Sequence, residues 1–295
     1  MRPTQKGGPI SWTSASATGT VERTGIEISS LMNLELKDKV ILVTGGASGI
    51  GEAVVRTLVI EGAIPVILDL KPEENCKALL SELAVEHADG AYLRVDLTDS
   101  QQVAEAVKLA LLRFETIDGV VNNAGVNDGA GLSASPDQFR QSLERNLTQC
   151  FTMTHLAAPY LRQNAPSAIV NIGSKVAWTG QGGTSGYAAS KGGLAALTRE
   201  WALDLAADGV RVNMVVPAEV WTPMYDDWLS SQADPAERRR EIESRIPLGA
   251  RMTEPQEIAD TVAFLLSARS AHTTGQIIHV DGGYVHLDRA FRRES

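Results

Sequence analysis

Residues 40–51 read Val-Ile-Leu-Val-Thr-Gly-Gly-Ala-Ser-Gly-Ile-Gly, a short apolar run that leads directly into a glycine-rich turn. The unbroken run Val40–Val43 is typical of a strand buried on both faces of a parallel sheet. Apolar residues at helical spacing follow the turn and predict a helix. Glycines at positions 45, 49 and 51 let the backbone turn tightly and approach a phosphate at the N-terminus of that helix. The stretch therefore predicts a strand–turn–helix unit that binds a phosphate-containing ligand.

Short β-rich runs alternate with helical stretches along the chain from Leu34 onward. The predicted strands cover residues 40–43, 63–70, 91–96, 119–122, 168–172, 210–216 and 276–280. A long helix is predicted over residues 185–207, and Ser135 followed by a proline predicts another helix start. Such alternation predicts the α/β class, with one doubly wound domain of about seven parallel strands and helices on both faces. Residues 222–245 depart from the alternation and are interpreted as a lid.

Composition and charge exclude several classes of protein. The 295 residues are 43% hydrophobic and carry a formal net charge of −9, which disfavours nucleic acid as a partner. No apolar run reaches the roughly 18 residues of a membrane helix. Cys76 and Cys150 lie far apart and match no metal-ligand spacing, so we expect no metal, no disulfide framework and a cytoplasmic location.

The first 33 residues differ from the rest of the chain. They are rich in Ser, Thr and Gly, and they lack the apolar core of a secretory signal. Glu22 and Glu27 argue against an organelle transit peptide. We expect residues 1–33 to be a flexible extension and residues 34–295 to be a dinucleotide-binding catalytic domain.

A carboxylate follows the second predicted strand at Asp69, eighteen residues after Gly51. An acid at this place can accept hydrogen bonds from the adenosine ribose hydroxyls and repels a 2′-phosphate. The sequence therefore favours NAD(H) over NADP(H). Lys71 could soften this preference, or it could be a solvated turn residue.

The glycine spacing Gly45-x-x-x-Gly49-x-Gly51 and the run Asn122-Asn-Ala-Gly125 resemble the short-chain dehydrogenase/reductase family. The resemblance covers about residues 34–284 and implies that Asp96 contacts adenine. It departs from the family at Ala218, where a glycine is usual, which puts the loop geometry in doubt. The residues expected at the cofactor are Gly45, Ser48, Gly49, Ile50, Gly51, Asp69, Asp96, Leu97, Asn123, Ala124, Gly125, Tyr187, Lys191, Pro217, Val220 and Thr222.

Four residues form the predicted catalytic set. Tyr187 and Lys191 are four apart, which places them on one face of a helix. An ammonium there lowers the phenol pKa from its unperturbed value of about 10, so the phenol can exchange a proton while hydride moves to or from the nicotinamide. Ser174 would orient the reacting oxygen, and the family resemblance implies that Asn146 holds a water in a proton relay. The alternatives are a surface Tyr–Lys pair and a helix defect at Asn146.

Polar and aromatic residues near the predicted active-site loops suit a hydroxylated ring, because aromatic faces cover C–H groups while hydroxyls need polar partners. The candidates are Asn127, Trp178, Gln181 and Glu219, and each could equally be structural. The position of Asn127 and Gln181 near predicted active-site loops slightly favours a functional role for those two. The runs 122–128, 197–202, 217–223 and 280–289 resemble bacterial sugar dehydrogenases that act on L-fucose. That resemblance implies oxidation of the anomeric hydroxyl of an aldose to the lactone, with reduction of NAD⁺, and a homotetramer.

Two other functions stay open at this point. One is an NAD(P)H-dependent reductase of a ketone or a 3-oxoacyl group, for which the basic run Arg238–Arg240 would be the docking patch. Glu237 and Glu241 flank that run and favour a paired, solvated helix face instead. The other is a dinucleotide-sensing binding protein on the same fold. The Ser–Tyr–Lys set argues against it, because sensing needs no phenolate.

Overall fold

The computed structural model of the protein describes residues 33–72, 79 and 90–288. Seven parallel strands form one sheet in the order β3-β2-β1-β4-β5-β6-β7. The order reverses between β1 and β4, and a crevice opens at such a point outside the carboxyl ends of the strands. The predicted fold class is confirmed. The strands are β1 (Val40–Thr44), β2 (Ile64–Asp69), β3 (Ala91–Arg94), β4 (Gly119–Asn122), β5 (Ser167–Ile172), β6 (Val210–Pro217) and β7 (Ile277–Val280).

Helices connect the strands. They are α1 (Gly49–Ile60), α2 (Ser100–Phe114), α3 (Pro136–Leu143), α4 (Gln149–Gln163), α5 (Ser185–Ala206), α6 (Pro223–Ser230), α7 (Pro235–Glu243) and α8 (Pro255–Leu266). Short 3₁₀ turns span Lys175–Ala177 and Ala268–Ser270, and a π-helical turn, Glu144–Thr148, joins α3 to α4. The region interpreted as a lid thus contains two helices, α6 and α7.

The core lies on both faces of the sheet, because successive side chains of a strand point to opposite faces. Leu42 of β1 is paired with Val66 on one side and Val120 on the other. These side chains pack in a first cluster with α2, α4 and α5, whereas Ile41 and Val43 pack in a second cluster with α1 and α8. All five are at most 2% exposed. Each fully buried apolar side chain of this size contributes roughly 1.5–3 kcal/mol.

Two local signals can be checked against the structure. Ser135 caps α3 through a reciprocal pair of hydrogen bonds with Gln138, at 3.2 Å and 2.8 Å, so the predicted helix start is confirmed. Pro65 lies inside β2 but precedes Val66, where pairing with β3 begins. A missing N–H is tolerated there, near the strand start.

The described residues between Leu34 and Asp288 belong to one compact unit. Of the predicted extension 1–33, residues 1–32 lie outside the part of the chain that the structure describes, as does Cys76. Among the helices that the structure describes, none combines the length and apolar character needed to cross a membrane.

Candidate active site

The turn between β1 and α1 requires glycine at particular positions. Gly45 and Gly49 adopt φ angles of +64° and +58°, which favour glycine. A Cβ atom on Gly51 would lie 2.1 Å from the carbonyl oxygen of Gly45. The resulting turn ends at the N-terminus of α1, where free N–H groups and the helix dipole favour a phosphate. This cradle fits the pyrophosphate of a dinucleotide.

Thr44 and Asn123 join the ends of β1 and β4 beneath this turn. The Thr44 hydroxyl accepts hydrogen bonds from the backbone N–H groups of Asn123 and Ala124, at 3.0 Å and 3.1 Å. The side-chain amide of Asn123 donates to the carbonyl oxygens of Thr44 and Gly45, both at 3.0 Å. Asn123 therefore holds the turn as well as lining the cavity beside it. Thr44 was not predicted, since its partners lie almost eighty residues away.

Two carboxylates lie along the next strand ends. Asp69 accepts hydrogen bonds from the backbone N–H groups of Ala47 and Lys71, each at 3.0 Å, and is 9% exposed. Asp96 accepts from the backbone N–H and hydroxyl of Thr98, at 3.0 Å and 2.7 Å. Both carboxylates are thereby held in one orientation at the crevice.

A cavity of about 710 Å³ runs along the crevice from Asp69 to Tyr187. This volume is typical of a small-molecule site. Ser174 lines the cavity, whereas Gly51 and Asn146 are not among its lining residues. The predicted cofactor residues that line it are Gly45, Ser48, Gly49, Ile50, Asp69, Asp96, Leu97, Asn123, Ala124, Gly125, Tyr187, Lys191, Pro217, Val220 and Thr222.

Tyr187 and Lys191 lie one turn apart on α5 and face this cavity. The Lys191 side chain is 2% exposed, and its ammonium donates to the carbonyl oxygen of Ile172 at 2.8 Å. The same nitrogen lies 5.6 Å from the centre of the Tyr187 ring. A Cβ atom on Gly125 would lie 3.4 Å from it, so glycine leaves room for the ammonium. The cation is thus fixed beside the phenol.

Asn146 lies in the π-helical turn and is fully buried. Its side-chain oxygen accepts from the N–H of Val126 at 2.7 Å, and its amide donates to the carbonyl oxygens of Val126 and Ser142, both at 2.9 Å. These bonds brace the segment that contains Gly125. Single π turns occur often at functional sites.

Ser174 follows β5 and begins the 3₁₀ turn Lys175–Ala177. Its hydroxyl oxygen lies 3.4 Å from the N–H of Val176, at the long end of hydrogen-bond distances. Ser174, Tyr187 and Lys191 therefore share one cavity, and they can together bind an oxygen atom and exchange its proton.

The four predicted substrate residues do not line this cavity. Asn127 and Gln181 are exposed, and Trp178 packs edge-on against His279 with ring centres 4.9 Å apart. The Glu219 carboxylate forms an ion pair with Lys175 and accepts a hydrogen bond from the Tyr225 hydroxyl at 2.9 Å.

Several residues that sequence reasoning missed lie at the site. Arg145, Gln149 and Tyr225 line the cavity. Gln149 donates to the carbonyl oxygen of Ala124 at 2.6 Å, while its own buried side-chain oxygen has no hydrogen-bond partner among the residues described. Its spacing of three from Asn146 on a helix is the one sequence signal that could have found it.

Cys150 is a buried free thiol behind the site. Burial raises its pKa to about 11, although the positive charge of Lys191 opposes the shift. Within residues 33–72, 79 and 90–288, no three His, Cys, Asp or Glu side chains are grouped to hold a metal ion.

Comparison with protein families and characterised proteins finds dehydrogenases and reductases. A family model described as enoyl-(acyl carrier protein) reductase matches residues 45–285. L-fucose dehydrogenase of Mus musculus is 39% identical, with the match covering 83% of this chain and 88% of the mouse protein. The 3-oxoacyl-[acyl-carrier-protein] reductase FabG of Thermotoga maritima is 36% identical, over 85% of this chain and all of that protein.

Solved structures share the fold as well. The crystal structure of the Cj0485 dehydrogenase is 42% identical with a TM-score of 0.84, and it covers 89% of this chain and 100% of its own. Ligand-free aldohexose dehydrogenase of Thermoplasma acidophilum is 29% identical with a TM-score of 0.79, over 88% of this chain and 98% of its own.

Proposed function

Because the chain belongs to the short-chain dehydrogenase/reductase family, it is an oxidoreductase that uses a nicotinamide cofactor, and we propose that its substrate is an aldose such as L-fucose. The proposed reaction oxidises the anomeric hydroxyl to the lactone and reduces NAD⁺. The single observation that carries the chemistry is the convergence of Ser174, Tyr187 and Lys191 on one cavity.

Each of these side chains has a proposed role. Ser174 donates a hydrogen bond to the reacting oxygen and orients it. Tyr187 removes the proton of the hydroxyl, and the ammonium of Lys191, held by the Ile172 carbonyl, stabilises the phenolate. Asn146 positions Lys191 by bracing the segment that contains Gly125. The cofactor supplies the hydride acceptor when it is bound along the cavity.

Asp69 supports the choice of NAD⁺. Its carboxylate lines the cavity and is oriented by two backbone N–H groups. A fixed negative charge at this place accepts hydrogen bonds from ribose hydroxyls and repels a 2′-phosphate.

The sugar substrate is supported by the relatives named L-fucose dehydrogenase and aldohexose dehydrogenase. The second candidate, a 3-oxoacyl reductase, is supported by the FabG relative. An acidic carrier protein would need a free basic patch. Each arginine of the run Arg238–Arg240 instead pairs with a glutamate on α7, at 2.6–2.8 Å. This pairing favours an aldose over a carrier-bound 3-oxoacyl group as the substrate.

One assay separates the two candidates. The ultraviolet absorbance of NADH is followed with NAD⁺ and a panel of aldoses, L-fucose first, and in parallel with a 3-oxoacyl thioester and NADH or NADPH. Rapid NADH formation with L-fucose or a close stereoisomer supports the proposal. No turnover of any aldose, together with reduction of the thioester, would replace it with the reductase.

We also propose that the enzyme is a homotetramer and acts in the cytoplasm. Analytical ultracentrifugation of the purified enzyme checks the first point, since a sedimenting species of one or two chains would contradict it. Cell fractionation checks the second.

A further inference from the structure

Tyr225 lines the same cavity as Tyr187 but is held in a different way. Its hydroxyl donates a hydrogen bond to one carboxylate oxygen of Glu219, at 2.9 Å. The other oxygen of Glu219 is bound by the ammonium of Lys175. Lys175 and Glu219 are each 9% exposed. The phenol therefore ends a buried chain of polar groups that runs from Lys175 through Glu219 to the cavity.

The direction of the Tyr225 hydrogen bond follows from the charge of Glu219. The ammonium of Lys175 forms an ion pair with the Glu219 carboxylate, and the same nitrogen lies 4.4 Å from the centre of the Tyr284 ring. An ionised carboxylate can only accept, so the hydrogen must belong to the phenol. Burial and the negative charge of Glu219 raise the pKa of Tyr225, so the phenol keeps this hydrogen throughout the neutral range.

A phenol whose only hydrogen is bound elsewhere has lone pairs left for a ligand. Donation to a carboxylate also polarises the phenolic oxygen and improves it as an acceptor. We propose that Tyr225 is a specificity residue that accepts a hydrogen bond from a hydroxyl group of the substrate, with Glu219 and Lys175 as positioning residues. This inference rests on the proposed function and adds a residue that selects the substrate by one of its hydroxyl groups.

Through Glu219 and Lys175, Tyr225 is linked to the segment that contains Ser174. Lys175 directly follows Ser174, so the chain of polar groups starts beside the proposed catalytic serine. Tyr225 lies in the first turn of α6, whose cap Thr222 accepts from the Tyr225 N–H at 3.3 Å. The Trp228 ring packs edge-on against it with centres 5.3 Å apart. The phenol is thus held on two sides in the wall of the cavity.

The arrangement discriminates by hydrogen-bond type. A substrate hydroxyl satisfies the phenolic oxygen, whereas a carbonyl, ether or thioester oxygen at that place faces a second acceptor with no hydrogen between them. A buried polar atom left without a partner is unfavourable. Tyr225 therefore favours a polyhydroxylated substrate over a 3-oxoacyl thioester, independently of the paired arginines of α7.

Deoxyfluoro sugars test the inference, because fluorine replaces a hydroxyl in size but cannot donate a hydrogen bond. The kcat/KM of the best aldose is compared with that of its analogues fluorinated at one ring position in turn, leaving the anomeric hydroxyl intact. In the wild-type enzyme one analogue should lose about tenfold in kcat/KM, which is the magnitude of one neutral hydrogen bond. In Tyr225→Phe this particular loss should disappear while the KM for NAD⁺ stays unchanged.

Two further variants complete the test. Tyr160→Phe is the matched control, since Tyr160 packs on the first core cluster in α4 away from the cavity, and it should keep the wild-type fluorine penalty. Glu219→Gln should reduce the penalty, because an amide can donate to Tyr225 and free the phenol hydrogen. If aldoses are oxidised but Tyr225→Phe keeps the penalty, or the wild type shows none, the inference alone fails. If no aldose is oxidised, the proposed function fails with it.

Discussion

The carboxylate of Asp69, at the end of β2, accepts a hydrogen bond of 3.0 Å from the backbone N–H of Ala47 inside the glycine turn. The acid proposed to select the cofactor is therefore oriented by the turn that approaches the phosphates. Its second oxygen accepts from the N–H of Lys71. Because both oxygens are held by backbone groups, the negative charge keeps its place whichever cofactor is offered.

Asp69→Ala should raise the ratio of kcat/KM for NADP⁺ to that for NAD⁺ by about tenfold or more, since a like charge no longer faces the 2′-phosphate. The ratio is measured with one saturating substrate. Asp69→Asn is the matched control, because its amide oxygen can still accept from Ala47 while the charge is gone. Asp69→Asn should show most of the increase in the kcat/KM ratio. An unaltered ratio in both variants would contradict the role given to the charge.

Tyr187→Phe should lower kcat by about 100-fold or more, because the phenol is the proposed acid and base. Lys191→Met should have a similar effect, since the phenolate loses its cation. NAD⁺ binding by Tyr187→Phe, followed by fluorescence titration, should persist, and circular dichroism should show an intact fold. A chain that only senses the dinucleotide would keep its output in Tyr187→Phe. Near-wild-type turnover in either variant would overturn the mechanism.

Gly51→Ala should weaken NAD⁺ binding by at least about tenfold, because its Cβ would lie 2.1 Å from the Gly45 carbonyl oxygen and the turn must move. Gly192→Ala is the contrasting substitution on α5. Its Cβ would meet no atom outside the helix's own backbone within 4 Å, so alanine should stabilise the helix by about 0.5–1 kcal/mol. Cofactor titration and thermal unfolding of both variants check the pair. If Gly51→Ala and Gly192→Ala bound NAD⁺ with equal affinity, the steric argument would be refuted.

Lys175→Met should destabilise the fold by about 3 kcal/mol, because it leaves the Glu219 carboxylate buried without its cation. Arg140→Met removes an exposed partner of Asp137 on α3 and should change stability by less than about 1 kcal/mol. Urea unfolding at constant m-value measures both. The double variant Lys175→Met/Glu219→Gln should recover part of the loss. A small effect of Lys175→Met alone would mean that water reaches Glu219.

Cys150 makes stability depend on pH in the alkaline range. Burial raises the pKa of its thiol from 9.0 to about 11. The folded state therefore keeps the proton after the unfolded chain has lost it, so this contribution is complete below pH 9 and is lost as the pH rises towards 11. Relative to Cys150→Ala, the wild type should lose about 1 kcal/mol per pH unit in this window. Parallel pH dependences of the two proteins would show that the thiol is not buried in solution.

The proposed catalytic residues could be found in the sequence because their relationships are local or follow strand ends. Tyr187 and Lys191 are one helical turn apart, and the glycine turn lies between one strand and the next helix. The carboxyl ends of parallel strands meet at one edge, so residues that follow them converge there whatever their separation along the chain. The same rule brought Asp69, Asp96 and Ser174 to one cavity.

The amino-acid sequence by itself determined the sheet, the helices on both faces and the wall of the cavity, because periodicity and glycine spacing act over a few residues. Only the tertiary structure decided what Glu219 does. From the sequence, Glu219 is a candidate contact for a substrate hydroxyl and could equally be a structural hydrogen bonder, whereas the folded chain places its carboxylate between Lys175 and Tyr225. A buried carboxylate binds the cation that packing brings nearest, and Lys175 is 44 residues away along the chain. No local sequence pattern predicts a contact between residues so far apart along the chain.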